Sequence, residues 1–347
     1  MSNAYWNILN DGDRLANSHA LVIGGSGSGK TFLVRNVLIP QMLGNRARVM
    51  ILDYNGDYED ADFLDGLCKE QIQHVRPDVE SLGFNPFVIA PTGNSQKRAT
   101  HVIELTSLFT KVFKLGEQQK AALRDVIDQE FIELGVPKEF GDDDLSHITI
   151  WPNFASIVEG LSKKNLLAAN RMRDLAMLEV FSSDGESFGE LLEGSCVVSL
   201  KDLPGDYSKE AVADLLMRAV YSKLLRDGMK SRTDFFIIVD EAHKIANLPG
   251  SATLLREARK YGTGVVLSSQ RPGDFSETVL ANVATKFLFR VNLRADAAIC
   301  AKELLKAPAL TDEIMDLKVG ECIMSNQHIT NRRVKVSADP MTITPDS

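Results

Sequence analysis

The stretch Ala20-Leu21-Val22-Ile23 followed by Gly24-Gly25-Ser26-Gly27-Ser28-Gly29-Lys30-Thr31 constrains this chain more than any other. Four consecutive apolar residues read as a strand buried on both faces, the kind found in parallel sheets. The strand runs straight into G-x-x-x-x-G-K-[ST], and Phe32–Ile39 continues as a helix that Pro40 ends or kinks. Glycines there let backbone N–H groups converge on phosphate oxygens, and the helix N-terminus adds its positive end. The pattern predicts a nucleotide phosphate cradle over Gly24, Gly25, Ser26, Gly27, Ser28, Gly29, Lys30 and Thr31. In it Lys30 reaches the β- and γ-phosphates and Thr31 holds Mg²⁺.

Arg48–Leu52 is a second buried strand, and Asn55-Gly56 is a turn. Strand, glycine loop, helix, strand is the opening of an α/β fold with a mainly parallel sheet. From about Thr100 to Ser182 the text is helical instead, with Leu123, Val126, Ile127, Phe131 and Leu134 on one face. Asp142-Asp143-Asp144 reads as a solvated loop, since no further ligands surround it. The α/β rhythm returns with strands at Val197–Leu200, Phe235–Val239, Val265–Leu267 and Phe287–Phe289 and helices at Tyr207–Arg226 and Leu254–Tyr261. Short strands around Cys322–Met324 and Val334–Val336 close the sheet edge. The expected division is a first core segment over 1–99, a helical insertion over 100–190, a second core segment over 191–325 and a tail over 326–347 that braces neighbouring subunits.

Asp240-Glu241 follows the apolar run Phe235–Val239. An acid pair at that strand end suits phosphoryl chemistry, with Asp240 on Mg²⁺ and Glu241 polarising the attacking water. Asp240-Glu241-Ala242-His243 with Ser251-Ala252-Thr253 also spells two boxes of a helicase group. That group sets its Ser-Ala-Thr at a strand end and needs a second α/β domain afterwards. Here the triplet opens a helical stretch and too little chain follows. His243 therefore reads as a structural or coupling residue. No Asn-Lys-x-Asp follows a strand and no Leu-Ser-Gly-Gly-Gln is present, which sets aside guanine-specific and transporter-type hydrolases.

The formal net charge of −8 excludes a global basic surface, so any DNA contact comes from a local patch or a channel built by several subunits. The four cysteines show no CxxC spacing and read as reduced core thiols of a cytoplasmic protein. No apolar run approaches the ~20 residues of a membrane span, and no secretory pattern opens the chain.

Several further pieces carry a resemblance. They are Asp53-Tyr54-Asn55-Gly56-Asp57-Tyr58, Phe84-Asn85-Pro86-Phe87, Arg256–Gly262, and Gln270-Arg271-Pro272 with Ser276–Leu280. Together with Gly24–Thr31 and Asp240–His243, and in this order, they resemble the HerA–FtsK group of P-loop ATPases, the HerA branch above all. The resemblance implies a RecA-like (ASCE-type) core using ATP and Mg²⁺. It implies a homo-oligomeric ring, usually a hexamer, that moves double-stranded DNA through its pore. It implies that Gln270 senses the γ-phosphate and that Arg259, or failing that Arg256, reaches into the neighbouring site, with Arg290 a less secure further arginine. HerA proteins carry a β-barrel before the core, and only about 20 residues precede this P-loop strand, so no barrel is expected. The alternatives are a conjugation, secretion or packaging ATPase of the same group, and an ATP-dependent scaffold ring around an effector nuclease or other enzyme.

Overall fold

The computed structural model describes residues 15–59, 72–89, 94–181, 186–245, 248–336 and 343–345. Its strands are β1 (Ala20–Ile23), β2 (Arg48–Asp53), β3 (Ile72–Val75), β4 (Gln96–Lys97), β5 (Glu139–Phe140), β6 (Ser195–Ser199), β7 (Lys230–Val239), β8 (Tyr261–Ser269), β9 (Thr285–Phe289), β10 (Glu321–Ser325), β11 (Arg332–Val336) and β12 (Ile343–Pro345). Ten form one sheet in the order β12-β11-β10-β9-β1-β8-β7-β2-β6-β3, and β4 pairs with β5 separately. The six strands from β9 to β6 are parallel throughout, and β10, β11 and β12 follow antiparallel beyond β9. The expected α/β class with a mainly parallel sheet is what the chain adopts.

The apolar runs explain the order. Every residue of β1 is buried, as are Val49–Leu52 of β2 and Phe235–Val239 of β7. A strand apolar on both faces must lie inside the sheet with layers on either side. The expected sheet edge differs from the observed one: β12 pairs with β11, so Val334–Val336 is not outermost. The helix after the P-loop does not end at Pro40. It runs from Lys30–Leu33 through a π-helical turn, Val34–Leu38, into Ile39–Gly44. Pro40 lacks an N–H and its ring crowds the carbonyl four residues earlier. The wider turn ahead of it, with the Ile39 N–H on the Val34 carbonyl, lets the helix pass through the proline instead of stopping.

The chain forms two compact units. The first holds the large sheet and is drawn from the chain up to His74, from Leu192–Lys201 and from Lys223 onward. The second comprises Val75–Leu191 and Asp202–Ser222. Its helices Arg98–Val112, Glu117–Glu133, Phe154–Lys164 and Leu166–Met177 surround an aromatic core. Phe87 packs against Phe109 and edge-on against Phe154, and Phe154 stacks on Phe181. Asn85 is buried there, donating to the Pro152 carbonyl at 2.8 Å and accepting the Phe87 N–H at 2.9 Å. The Phe84–Phe87 motif is thus a packing element of this unit. Leu123, Val126, Ile127 and Phe131 are buried together as their spacing predicts, and Leu134 at the helix end is half-buried.

Asp142–Leu145 is a short 3₁₀ turn in which Asp144 accepts the Gly141 N–H at 2.7 Å. Among the described residues no group of three His, Cys, Asp or Glu is placed to hold a metal ion by itself. Cys196, Cys300 and Cys322 are buried free thiols whose pKa values burial pushes up, and Cys68 lies outside the described residues. No described helix is long and apolar enough to cross a membrane.

Candidate nucleotide site

The carboxyl ends of three adjacent strands, β1, β8 and β7, build the site. β1 delivers the glycine loop. The Gly24 N–H donates to the Ser269 carbonyl at 3.2 Å and the Gly25 N–H to the Arg290 carbonyl at 2.7 Å, so the loop is pinned to the ends of β8 and β9. Ser26 and Gly27 are exposed at its tip, while Ser28 is buried with its hydroxyl unpartnered. Gly29 has φ +112°, a conformation that side chains resist. A Cβ at Gly24 would stand 2.5 Å from Phe289 Cβ and 2.6 Å from Ser28 Oγ. The cradle therefore admits only glycine at these two points, the close backbone packing a phosphate-binding loop requires.

Lys30 opens the helix and is buried, with Nζ donating to the Gly25 carbonyl at 3.0 Å. Burial lowers its pKa, and the carboxylates of Asp240 and Glu241 act in the opposite sense. Thr31 is the next residue, half-buried on the same turn. At the end of β7, Asp240 is buried, and that burial pushes its carboxyl up to about 6. Its Oδ1 accepts the Glu241 N–H at 3.1 Å. Glu241 has φ +49° and ψ +42°, a left-handed conformation that costs a non-glycine residue about 1–3 kcal/mol. Gln270, just past β8, donates from Nε2 to Glu241 Oε1 at 3.0 Å. Thr31 and Asp240 supply hard oxygen donors, the set that suits Mg²⁺ when phosphate oxygens and waters complete an octahedron.

The arginines fall elsewhere. Arg259 lies exposed on the turn Ala258–Lys260, just before β8 begins. β8 has nine residues, so the Arg259 backbone is separated from Gln270 by roughly 26 Å of strand at ~3.3 Å per residue. Within one chain, Arg259 is not brought together with the P-loop. Arg256, exposed on the helix Pro249–Glu257, pairs with Glu257 at 3.5 Å. Arg290 is exposed beside the P-loop, joined to it through its carbonyl. Ser251-Ala252-Thr253 lies within the Pro249–Glu257 helix, as the reading against a helicase box requires.

Two features go beyond the sequence reading. Asp53, fully buried at the end of β2, accepts four backbone N–H groups. Its Oδ1 takes those of Asn55 at 3.1 Å, Gly56 at 2.8 Å and Asp57 at 3.2 Å, and its Oδ2 takes that of Tyr58 at 2.9 Å. It folds the loop beside Asp240, whose own N–H donates to the Leu52 carbonyl at 3.3 Å. An Asp closing an apolar strand ahead of Asn-Gly was the available signal. Second, His243 Nδ1 lies 3.2 Å from Glu241 Oε2 and 3.4 Å from Ser269 Oγ.

Residues 2–138 match the family described as the central domain of helicase HerA. Residues 172–332 match the family described as the DNA-binding domain of type IV secretion-system coupling proteins. The DNA double-strand break repair helicase HerA of Saccharolobus solfataricus is 22% identical over 339 residues, covering 88% of this chain and 61% of its own length. The protein of the same name from Pyrococcus furiosus is 35% identical over 102 residues, covering 27% of this chain and 18% of its own. This chain thus spans about three-fifths of the length of the first of these relatives. Among solved structures, VirB4 of Thermoanaerobacter pseudethanolicus superposes with a TM-score of 0.68 at 20% identity, over 96% of this chain and 90% of that one. The plasmid coupling protein TrwB in complex with the non-hydrolysable ATP analogue ADPNP gives 0.63 at 17% identity, over 95% and 87%.

Proposed function

We propose that this chain, which belongs to the HerA–FtsK superfamily of P-loop ATPases, hydrolyses ATP and uses the hydrolysis to move double-stranded DNA through a homo-hexameric, HerA-like ring in the cytoplasm. The observation that carries the reading is the convergence of Lys30, Asp240, Glu241 and Gln270 on three neighbouring strand ends, with Gln270 already bonded to Glu241.

In this reading the loop Gly24–Thr31 grips the triphosphate through its N–H groups. Lys30 exchanges the Gly25 carbonyl for phosphate oxygens. Thr31 and Asp240 hold Mg²⁺, which when bound neutralises charge on the phosphate oxygens. Glu241 orients a water and accepts its proton, so that the water oxygen bonds to the γ-phosphorus as the bond to the β-phosphate oxygen breaks. Gln270 donates its amide to the γ-phosphate. Arg259, remote from its own P-loop, serves the site of an adjacent copy, where a cation supplied in trans stabilises the transition state. TrwB, described with ADP and Mg²⁺ as well as with ADPNP, supports the choice of nucleotide and metal.

The test is steady-state ATPase activity with and without long double-stranded DNA at two salt concentrations. A motor gripping phosphates is stimulated by DNA, and the stimulation weakens as salt rises. A flat response in assembled protein would sink the motor reading and favour a scaffold ring around an effector enzyme. A second reading, a conjugation or secretion motor, is supported by the match of residues 172–332 to the coupling-protein family. Neighbouring genes discriminate: secretion-channel components favour the second reading, and a nuclease gene favours the first.

A further inference from the structure

Both carboxylate oxygens of Glu241 have a protein neighbour. Oε1 accepts from Gln270 at 3.0 Å, and Oε2 faces His243 Nδ1 at 3.2 Å. The same His243 nitrogen lies 3.4 Å from Ser269 Oγ, and the Ser269 carbonyl takes the Gly24 N–H of the P-loop. One residue at the end of β8 therefore touches both the phosphate cradle and the side chain that holds Glu241. The left-handed backbone at Glu241 is a strained state that persists only when its surroundings fix it. The described partners that fix it at the side chain are Gln270 and His243.

A carboxylate that accepts from Gln270 on one oxygen and lies against His243 on the other is fixed in direction, and the accepted hydrogen bond makes it a weaker base toward an attacking water. The Gln270 N–H given to Glu241 is one that is not given to a γ-phosphate, and the amide must turn to present both of its N–H groups there. The Gln270–Glu241 bond therefore competes with both tasks. We propose that His243 and Gln270 form a latch that parks Glu241 in an idle position, that a γ-phosphate opens it by competing for the Gln270 amide, and that His243 is the positioning residue which sets how readily it opens. This rests on Glu241 being the residue that orients the water. It goes further in making idling without DNA a property of one histidine.

The experiment uses the full chain, comparing wild type, His243→Ala and His243→Asn, with Glu241→Gln as control. Asparagine places an amide N–H near the position of the imidazole Nδ1. With one tether gone, His243→Ala should raise the DNA-free kcat by about 3- to 10-fold, the scale of one ordinary polar contact. The DNA stimulation ratio should shrink by a similar factor, and His243→Asn should return both toward wild type. An equilibrium measurement needs no turnover: His243→Ala should bind a non-hydrolysable triphosphate analogue several-fold more tightly while its affinity for ADP stays unchanged, because only a γ-phosphate competes with the latch. A DNA-free kcat that falls or stays level in His243→Ala overturns the latch. Equal tightening of both nucleotides, or an asparagine variant that behaves like alanine, does so too. If Glu241→Gln hydrolyses ATP normally, the assignment of Glu241 itself has failed. If that control is inactive and His243→Ala is unchanged, the latch alone has failed.

Discussion

Asp240→Asn should make the metal-free protein more stable while ending Mg²⁺-dependent hydrolysis. Burial pushes the Asp240 carboxyl up to about 6, against an ordinary value of 3.8. Between those pH values the folded protein keeps a proton that the unfolded chain has released, so stability falls as pH rises through the window. Above about pH 6 the penalty is complete. About two pKa units at 1.36 kcal/mol each give roughly 2–3 kcal/mol. Asparagine removes the buried charge and retains an oxygen that can accept the Glu241 N–H now bonded at 3.1 Å. Urea unfolding followed by circular dichroism, in EDTA at pH 7.5 and again at pH 4, measures the difference. The variant should be more stable by about 2–3 kcal/mol at pH 7.5, and the two proteins should converge at pH 4. Adding Mg²⁺ and nucleotide should restore wild-type stability preferentially, since the bound cation compensates the charge. An asparagine variant that is less stable at pH 7.5, or a gap of the same size at pH 4, would refute the reasoning.

Lys30→Ala should abolish ATP turnover, read by phosphate release, because the cradle keeps its shape but loses its cation. Arg259→Ala should lose hydrolysis and regain part of it when mixed with Lys30→Ala subunits, since intact arginines then meet intact P-loops; a confirmed mixed ring without rescue counts against a role in trans. Asp53→Asn should lower stability by about 1.5–3 kcal/mol, because its amide would meet the buried Tyr58 N–H donor to donor. Thermal unfolding of that variant measures the loss. Glu241→Gln should bind ATP without hydrolysing it, seen as nucleotide retention after gel filtration.

The parallel core was legible because burial on both faces forces apolar runs: β1 is one throughout, and β2, β7, β8 and β9 carry them at Val49–Leu52, Phe235–Val239, Val265–Leu267 and Phe287–Phe289. β3, Ile72-Gln73-His74-Val75, and β12, Ile343-Thr344-Pro345, lie at the two sheet edges, where one neighbour is missing and the apolar signal is weak. The run through Pro40 was not legible either, since a proline announces a missing N–H but not the π turn that accommodates it.

The site divides along the same line. The cradle is written in contiguous residues because its shape is a backbone property, and glycine is the only residue that fits at Gly24 and Gly29. The acid pair is legible because the apolar strand before it fixes where it emerges. What holds the acids is not written contiguously. Gln270 meets Glu241 across 29 positions of sequence, and Ser269 meets His243 across 26. Those contacts exist because β7 and β8 are parallel neighbours in a register that pairs Val239 with Leu267, which brings their ends level. Strand order and register are cooperative properties of the whole sheet. The chemistry at the carboxyl edge is therefore carried by short motifs, while its control is carried by which strands lie side by side.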